Sequence, residues 1–361
     1  MPLIGLIQNM NEIPAWVAKY DNRRLIDSLY KNNWNTLYPI KTYIQSDEDE
    51  REYEGKLSHE KSSVFPHELA SLIGKNYGTI SSTPFGNTMT LAFAKKAIIE
   101  EKLGADNYTD LLAVSLSSPD YIGHTFGPNS IEVEDTYLRL DREIEAFLKY
   151  LDAKIGKGQY TFFLTADHAV AHNPNYLKSH KFPTRLLDSK SNDAINELLL
   201  NKYEYKNLIL ANENYHLYLN DRLIDSAGLD KDDIKKTIIN ELNKDEGLLV
   251  AFDNEEIDEI NLPLEVRERF LNGYNYKRSG DIQVVVKPGN FYGYGNGTGS
   301  THGSWYPYDS HIPLLWMGWG INKGRSNHVR YMTDIAPTLA ALLRIQMPNG
   351  AIGKPITEVI K

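Results

Sequence analysis

Two apolar patterns alternate along this 361-residue chain, one short and continuous, the other spaced as a helix requires. Leu111-Leu112-Ala113-Val114-Ser115-Leu116 is closed by Ser117-Ser118-Pro119-Asp120, and its length and breakers predict a buried strand feeding a loop. Asn129 or Ser130 then caps a helix. Its apolar positions Tyr137, Leu140, Ile144, Phe147, Leu148 and Leu151 recur at helical spacing. Glu132, Glu134 and Asp135 fall near its start, where acids complement the helix dipole, and Gly156 stops it. Tyr160 to Thr165 is a second buried strand, ending at Asp167-His168. Strand, helix and strand in this order predict a βαβ unit and a parallel sheet, whose active site lies beyond the C-terminal strand ends.

The rest of the chain is less regular. Residues 1–60 show little periodicity but many aromatics, among them Trp16, Trp34 and Tyr43. The acidic run Ser46-Asp47-Glu48-Asp49-Glu50 predicts a solvated loop. Residues 183–280 alternate short strands (208–210, 216–219) with a polar helix near 230–245, which predicts an inserted α+β subdomain. Residues 1–182 and 281–361 then form the α/β core, with strands at 282–286 and 313–317. A Gly-rich loop from Gly293 to Gly303 holds His302, and Asp334 and Pro337 open the last helix.

Composition narrows the function. A net charge of −9 argues against nucleic acid or an anionic membrane as the main partner. With no cysteine, disulfides, thiolate ligands and Cys nucleophiles are excluded, so any metal sits on His, Asp or Glu. No apolar run is long enough to cross a bilayer. Met1 to Ile7 lacks the basic start and the length of a signal peptide, so no export signal is expected in the chain as written.

The chemistry concentrates in three places. Asp120-x-x-x-His124 follows the first predicted strand, Asp167-His168 ends the second, and His302 lies far along in the Gly-rich loop. Mixed Asp and His ligands delivered by several strand ends suit two divalent metals in one pocket, able to polarise a phosphoryl oxygen. The other histidines (His59, His67, His172, His180, His216, His311, His328) are read as structural, His172 and His311 least securely.

These motifs resemble the alkaline phosphatase superfamily, specifically its PafA-type (phosphate-irrepressible) monoesterase branch. The resemblance is carried by Ser118-Pro119-Asp120-Tyr121-Ile122-Gly123-His124 continuing through Asp141, by Phe163 to His168, and by Asn272 to Ile282. Thr301-His302, Tyr308 to Pro313 and Thr333 to Thr338 complete it, and the similarity runs from about Glu12 to the C-terminus. It implies an alkaline phosphatase-like α/β parallel-sheet core flanked by helices, with the inserted subdomain. It also implies two-zinc hydrolysis of a small phosphate ester, outside the cytoplasm in a full-length protein. Asp120, His124 and His302 match the ligands of one zinc, and Asp167 and His168 two ligands of the other.

In that family the nucleophilic Thr, a further Asp ligand, and the Asn, Lys and Arg that hold phosphate precede the matched region. The resemblance therefore implies a chain lacking the nucleophile, incomplete at its N-terminus. It would have one well-formed zinc site and weak activity unless a missing segment or a partner chain supplies the rest. A phosphodiesterase or nucleotide pyrophosphatase of the same superfamily, or a non-catalytic metal-binding remnant, stands as the alternative. Ala169 also departs from the family's Gly, and would be strained if the position needs positive φ.

Overall fold

The computed structural model describes residues 12–187, 190–292 and 297–361. The N-terminal stretch Met1 to Ile7 and the first part of the Gly-rich loop thus lie outside the described residues. β1 (Thr161–Thr165) pairs antiparallel with β8 (Leu314–Gly318), Phe163 opposite Trp316 with their rings stacked 4.9 Å apart. β2 (Leu186–Leu187) and β7 (Phe291–Tyr292) form a short parallel pair. β3 (Ile209–Glu213), β4 (His216–Leu219), β5 (Leu248–Asp253) and β6 (Ile282–Val286) make an antiparallel sheet in the order β3-β4-β6-β5.

Three expectations change. Leu111 to Leu116 is not a strand: it has no ladder partner among the described residues, and Leu111 and Leu112 are exposed. Val114 and Leu116 instead pack on the helix Phe85–Glu100 and on Phe147. The predicted parallel crossover is therefore not closed by hydrogen bonds, because β1 finds its neighbour in β8 and runs against it. Finally, β6 belongs to the subdomain sheet, so that unit runs past residue 280 to at least Val286. All five β6 residues are buried, Gln283 among them, and a short, largely apolar run does not reveal which sheet it joins.

Other elements fall close to their predicted places. Ser130 caps the helix Ile131–Leu151, its Oγ accepting from the Val133 amide at 3.3 Å. Asp230 caps Lys231–Leu242 through the amides of Asp232 and Asp233. Asp334 precedes Ile335–Leu343, but its carboxylate accepts from Tyr331 and Lys354 amides rather than from the helix it opens. Asp135 does more than offset a dipole. Fully buried, it accepts from the Trp34 indole at 2.7 Å, the Leu37 amide at 2.6 Å and Arg139 at 2.6 Å, tying residues 34–43 to the helix. The acidic run is only partly solvated. Tyr53 bonds Asp47, and half-buried Asp49 accepts from the Phe65 amide at 3.2 Å.

Candidate metal centre

The segment after Leu116 forms a helix, Ser118–Phe126, with Pro119 in its first turn, where a missing N–H costs nothing. On a helix, residues four apart share a face and residues two apart lie about 200° around the axis. Ile122 and Phe126 accordingly enter the core beside Trp34 and Leu69, while Asp120 and His124 face the opposite side. One short helix thus anchors itself with one pair and presents with the other two groups able to ligate a metal.

His302 comes from the loop 297–306, and hydrogen bonds to the loop backbone set its place. The Ser300 amide donates to the His124 carbonyl at 3.3 Å, the Gly299 amide to the Tyr53 carbonyl at 2.7 Å, and Asn173 Nδ2 to the Gly299 carbonyl at 2.5 Å. Gly299 has φ +72, and a β-carbon there would lie 1.9 Å from the His124 carbonyl oxygen. Glycine is required by both conformation and space. His168 follows β1, and the next residue, Ala169, is held by its amide donating to the Asp309 carbonyl at 2.7 Å. Ala169 is not among the positive-φ residues, so the strain considered for it does not arise.

The outcome is a cluster around one carboxylate. Asp120 Oδ1 lies 3.4 Å from His124 Nε2, 3.5 Å from His302 Nε2 and 3.8 Å from His168 Nε2. Asp120, His124 and His302 can each offer a ligand atom within 4.8 Å of the others. The rings of His168 and His302 lie parallel with centroids 3.4 Å apart. Asp167 stands 3.7 Å from His168 Nε2 with its carboxylate largely in solvent, at the edge of the cluster.

Partners on the far ring nitrogens orient two of the three converging imidazoles. His124 Nδ1 donates to the Ser300 carbonyl and His168 Nδ1 to the Ala169 carbonyl, each at 2.8 Å. A proton held on Nδ1 leaves the Nε2 lone pair free for a cation. Burial and the neighbouring His168 hold the His302 imidazole below its usual pKa, which also favours the neutral, ligating form. Ligands about 2.0–2.1 Å from a tetrahedral ion lie roughly 3.3–3.4 Å apart, and the spacings from Asp120 to His124 and to His302 are close to that.

Asp309 was not anticipated as part of this region. It is 2% exposed; its Oδ2 accepts from the Ser304 amide at 2.7 Å and its Oδ1 has no partner. Burial raises its pKa, against hydrogen bonding from Ser304 and the nearby His302 and His168, which act to lower it. Its place inside Tyr308 to Pro313 was the available signal, but a single buried Asp cannot be told from an exposed one by sequence. His172 stays outside the cluster, bonding Asn129 Oδ1 at 2.8 Å and stacking on Tyr176.

Residues 14–305 match the family of type I phosphodiesterases / nucleotide pyrophosphatases. Alkaline phosphatase PafA of Elizabethkingia meningoseptica is 47% identical over 97% of this chain and 64% of its own length. A protein named calcium-transporting ATPase from Myroides odoratus is 47% identical over 98% of this chain and 65% of its own. The chain spans less than two thirds of the length of these curated relatives. The crystal structure of wild-type alkaline phosphatase PafA superposes with a TM-score of 0.93 at 46% identity, covering 98% of this chain and 67% of that one. This chain belongs to the type I phosphodiesterase / nucleotide pyrophosphatase family and has the alkaline phosphatase fold.

Proposed function

We propose that the chain carries the metal-binding side of a phosphate monoester hydrolase, an alkaline phosphatase acting on a small phosphate ester. The observation behind this is the convergence of three histidine Nε2 atoms within 3.4–3.8 Å of Asp120 Oδ1, from three separate stretches of chain. Asp120, His124 and His302 would hold one zinc, and His168 with Asp167 would face a second. A zinc held there would polarise a phosphoryl oxygen and stabilise the leaving oxygen. The residues' own task is orientation: the Ser300 and Ala169 carbonyls fix two imidazoles. No residue of the chain is assigned the role of phosphoryl acceptor; the resemblance places that group outside the stretches matched here.

The similarity to alkaline phosphatase PafA favours monoesters, and the family match keeps diesters as the second reading. The name ATPase carried by another relative is also that of a phosphoryl-transfer reaction. Among the described residues no helix is long and apolar enough to cross a membrane. The extracytoplasmic setting is part of the proposal for a full-length protein. The deciding assay compares 4-nitrophenyl phosphate with bis(4-nitrophenyl) phosphate, with and without added zinc. Zinc-dependent preference for the monoester supports the reading, preference for the diester replaces it with the second, and activity indifferent to zinc and to Asp120→Ala refutes both.

A further inference from the structure

Beside the metal cluster, on the subdomain side, lies a cavity of about 150 Å³ that no part of the proposed chemistry uses. Gly303, peptide-bonded to His302, lines it, so it begins one residue from a metal-site ligand. Its walls are aromatic. Trp305 meets Phe270 with ring centroids 4.9 Å apart and meets Tyr215 edge-on at 5.9 Å. A cavity of this volume is large enough for one benzene-sized ring.

Tyr215 occupies an unusual position. With Asn214 it forms the two-residue turn between β3 and β4, at φ +65 and +51. Such turns need positive φ at both positions, and glycine is the preferred second residue. The tyrosine contributes a wall: its ring packs toward Trp305 and Tyr292, and a β-carbon on Gly303 would sit 3.9 Å from it.

The cavity also has a polar edge. Asn254, 2% exposed, donates one Nδ2 hydrogen to the Gly280 carbonyl at 2.7 Å and faces His216 Nδ1 at 3.1 Å. The carbonyl fixes which end of the amide points there, so His216 Nδ1 accepts and the neutral ring carries its proton on Nε2. Arg269 adds a guanidinium, anchored through one nitrogen to the Trp305 carbonyl at 2.8 Å with further N–H groups remaining. Aromatic walls with donors at one edge suit a flat ring bearing an acceptor.

We propose that this cavity is a subsite for one planar ring carrying a hydrogen-bond acceptor, and that it receives an aryl or heteroaryl leaving group beside His302. The leaving-group role rests on the phosphoesterase reading; the ring site does not. Two carboxamides of matched polarity test it by equilibrium dialysis: benzamide, which is flat, and cyclohexanecarboxamide, which is puckered. Benzamide is expected to bind at least tenfold more tightly. Tyr215→Gly, which suits the turn, is expected to weaken benzamide at least fivefold while keeping a cooperative melt. Equal binding of the two amides, or unchanged benzamide affinity in a folded Tyr215→Gly variant, overturns the site. If that variant does not melt cooperatively, Arg269→Met is judged by the same fivefold criterion. His124→Ala separates the two claims, because benzamide affinity should stay within twofold of wild type, and its loss would refute a distinct subsite. Failure of the wild-type chain to bind zinc, with benzamide binding intact, would sink the phosphoesterase reading alone.

Discussion

His67 sits at the centre of the N-terminal core with no exposed surface, packed against Trp34, Phe65 and Phe126. Its Nδ1 lies 2.9 Å from Glu60 and its Nε2 3.1 Å from Glu132. Burial opposes its charge, but the bonds to Glu132 and Glu60 outweigh burial and bring the pKa from 6.5 up to about 9. Because the folded pKa is raised, the protonated ring stabilises the fold fully below pH 6.5, and that contribution is lost as pH rises toward 9. At about 1.4 kcal/mol per pH unit, the interval integrates to roughly 3 kcal/mol. Glu54 acts in the same direction at lower pH: burial and Glu132 raise it from 4.5 to about 7, so its contribution fades between those values. Urea unfolding at intervals from pH 6.5 to 9 reads the effect directly. The wild type should lose about 3 kcal/mol across that range, whereas His67→Gln should start lower and show a much flatter profile. A wild-type curve flat over the same window would refute a charged His67. So would a His67→Gln variant that keeps the full slope.

Two further predictions concern the packing around the candidate ligands. Gly299→Ala puts a methyl against the His124 carbonyl at a positive φ, and should destabilise the fold by about 3 kcal/mol and weaken zinc binding at least tenfold. Thermal melts and zinc titration check it, and native affinity in the variant would contradict the packing. Trp34→Phe removes the indole donor from buried Asp135 and leaves a void, and should cost about 3 kcal/mol in urea unfolding. A loss under about 1 kcal/mol would show that Leu37 and Arg139 satisfy that carboxylate by themselves.

What could be read from the sequence was local. The helix Ile131–Leu151 announces itself by apolar spacing and a serine cap. The Asp120–His124 pair is visible too, although the segment that reads as a loop is the helix Ser118–Phe126, which brings both groups to one face. The unread features are long-range. β1 and β8 pair across some 150 residues of chain, and nothing in Tyr160 to Thr165 names its partner or its direction. Ile282–Val286 is apolar except for Gln283, so it suggests burial without showing that β4 and β5 flank it. His67, set aside as structural, is structural, but its two carboxylate partners are 7 and 65 residues away. His216 opens a predicted strand, and nothing in the sequence shows that the preceding turn, with Tyr215, lies beside the loop of His302.

The claim that most needs testing is that Asp120, His124 and His302 form one metal site. Isothermal titration of zinc into the metal-stripped chain, repeated with His302→Ala, addresses it without relying on turnover. The expected result is tight uptake of about one equivalent by the wild type, releasing protons as it binds, with affinity in His302→Ala reduced by at least a hundredfold. No uptake by the folded wild type, or equal uptake by the variant, would contradict it.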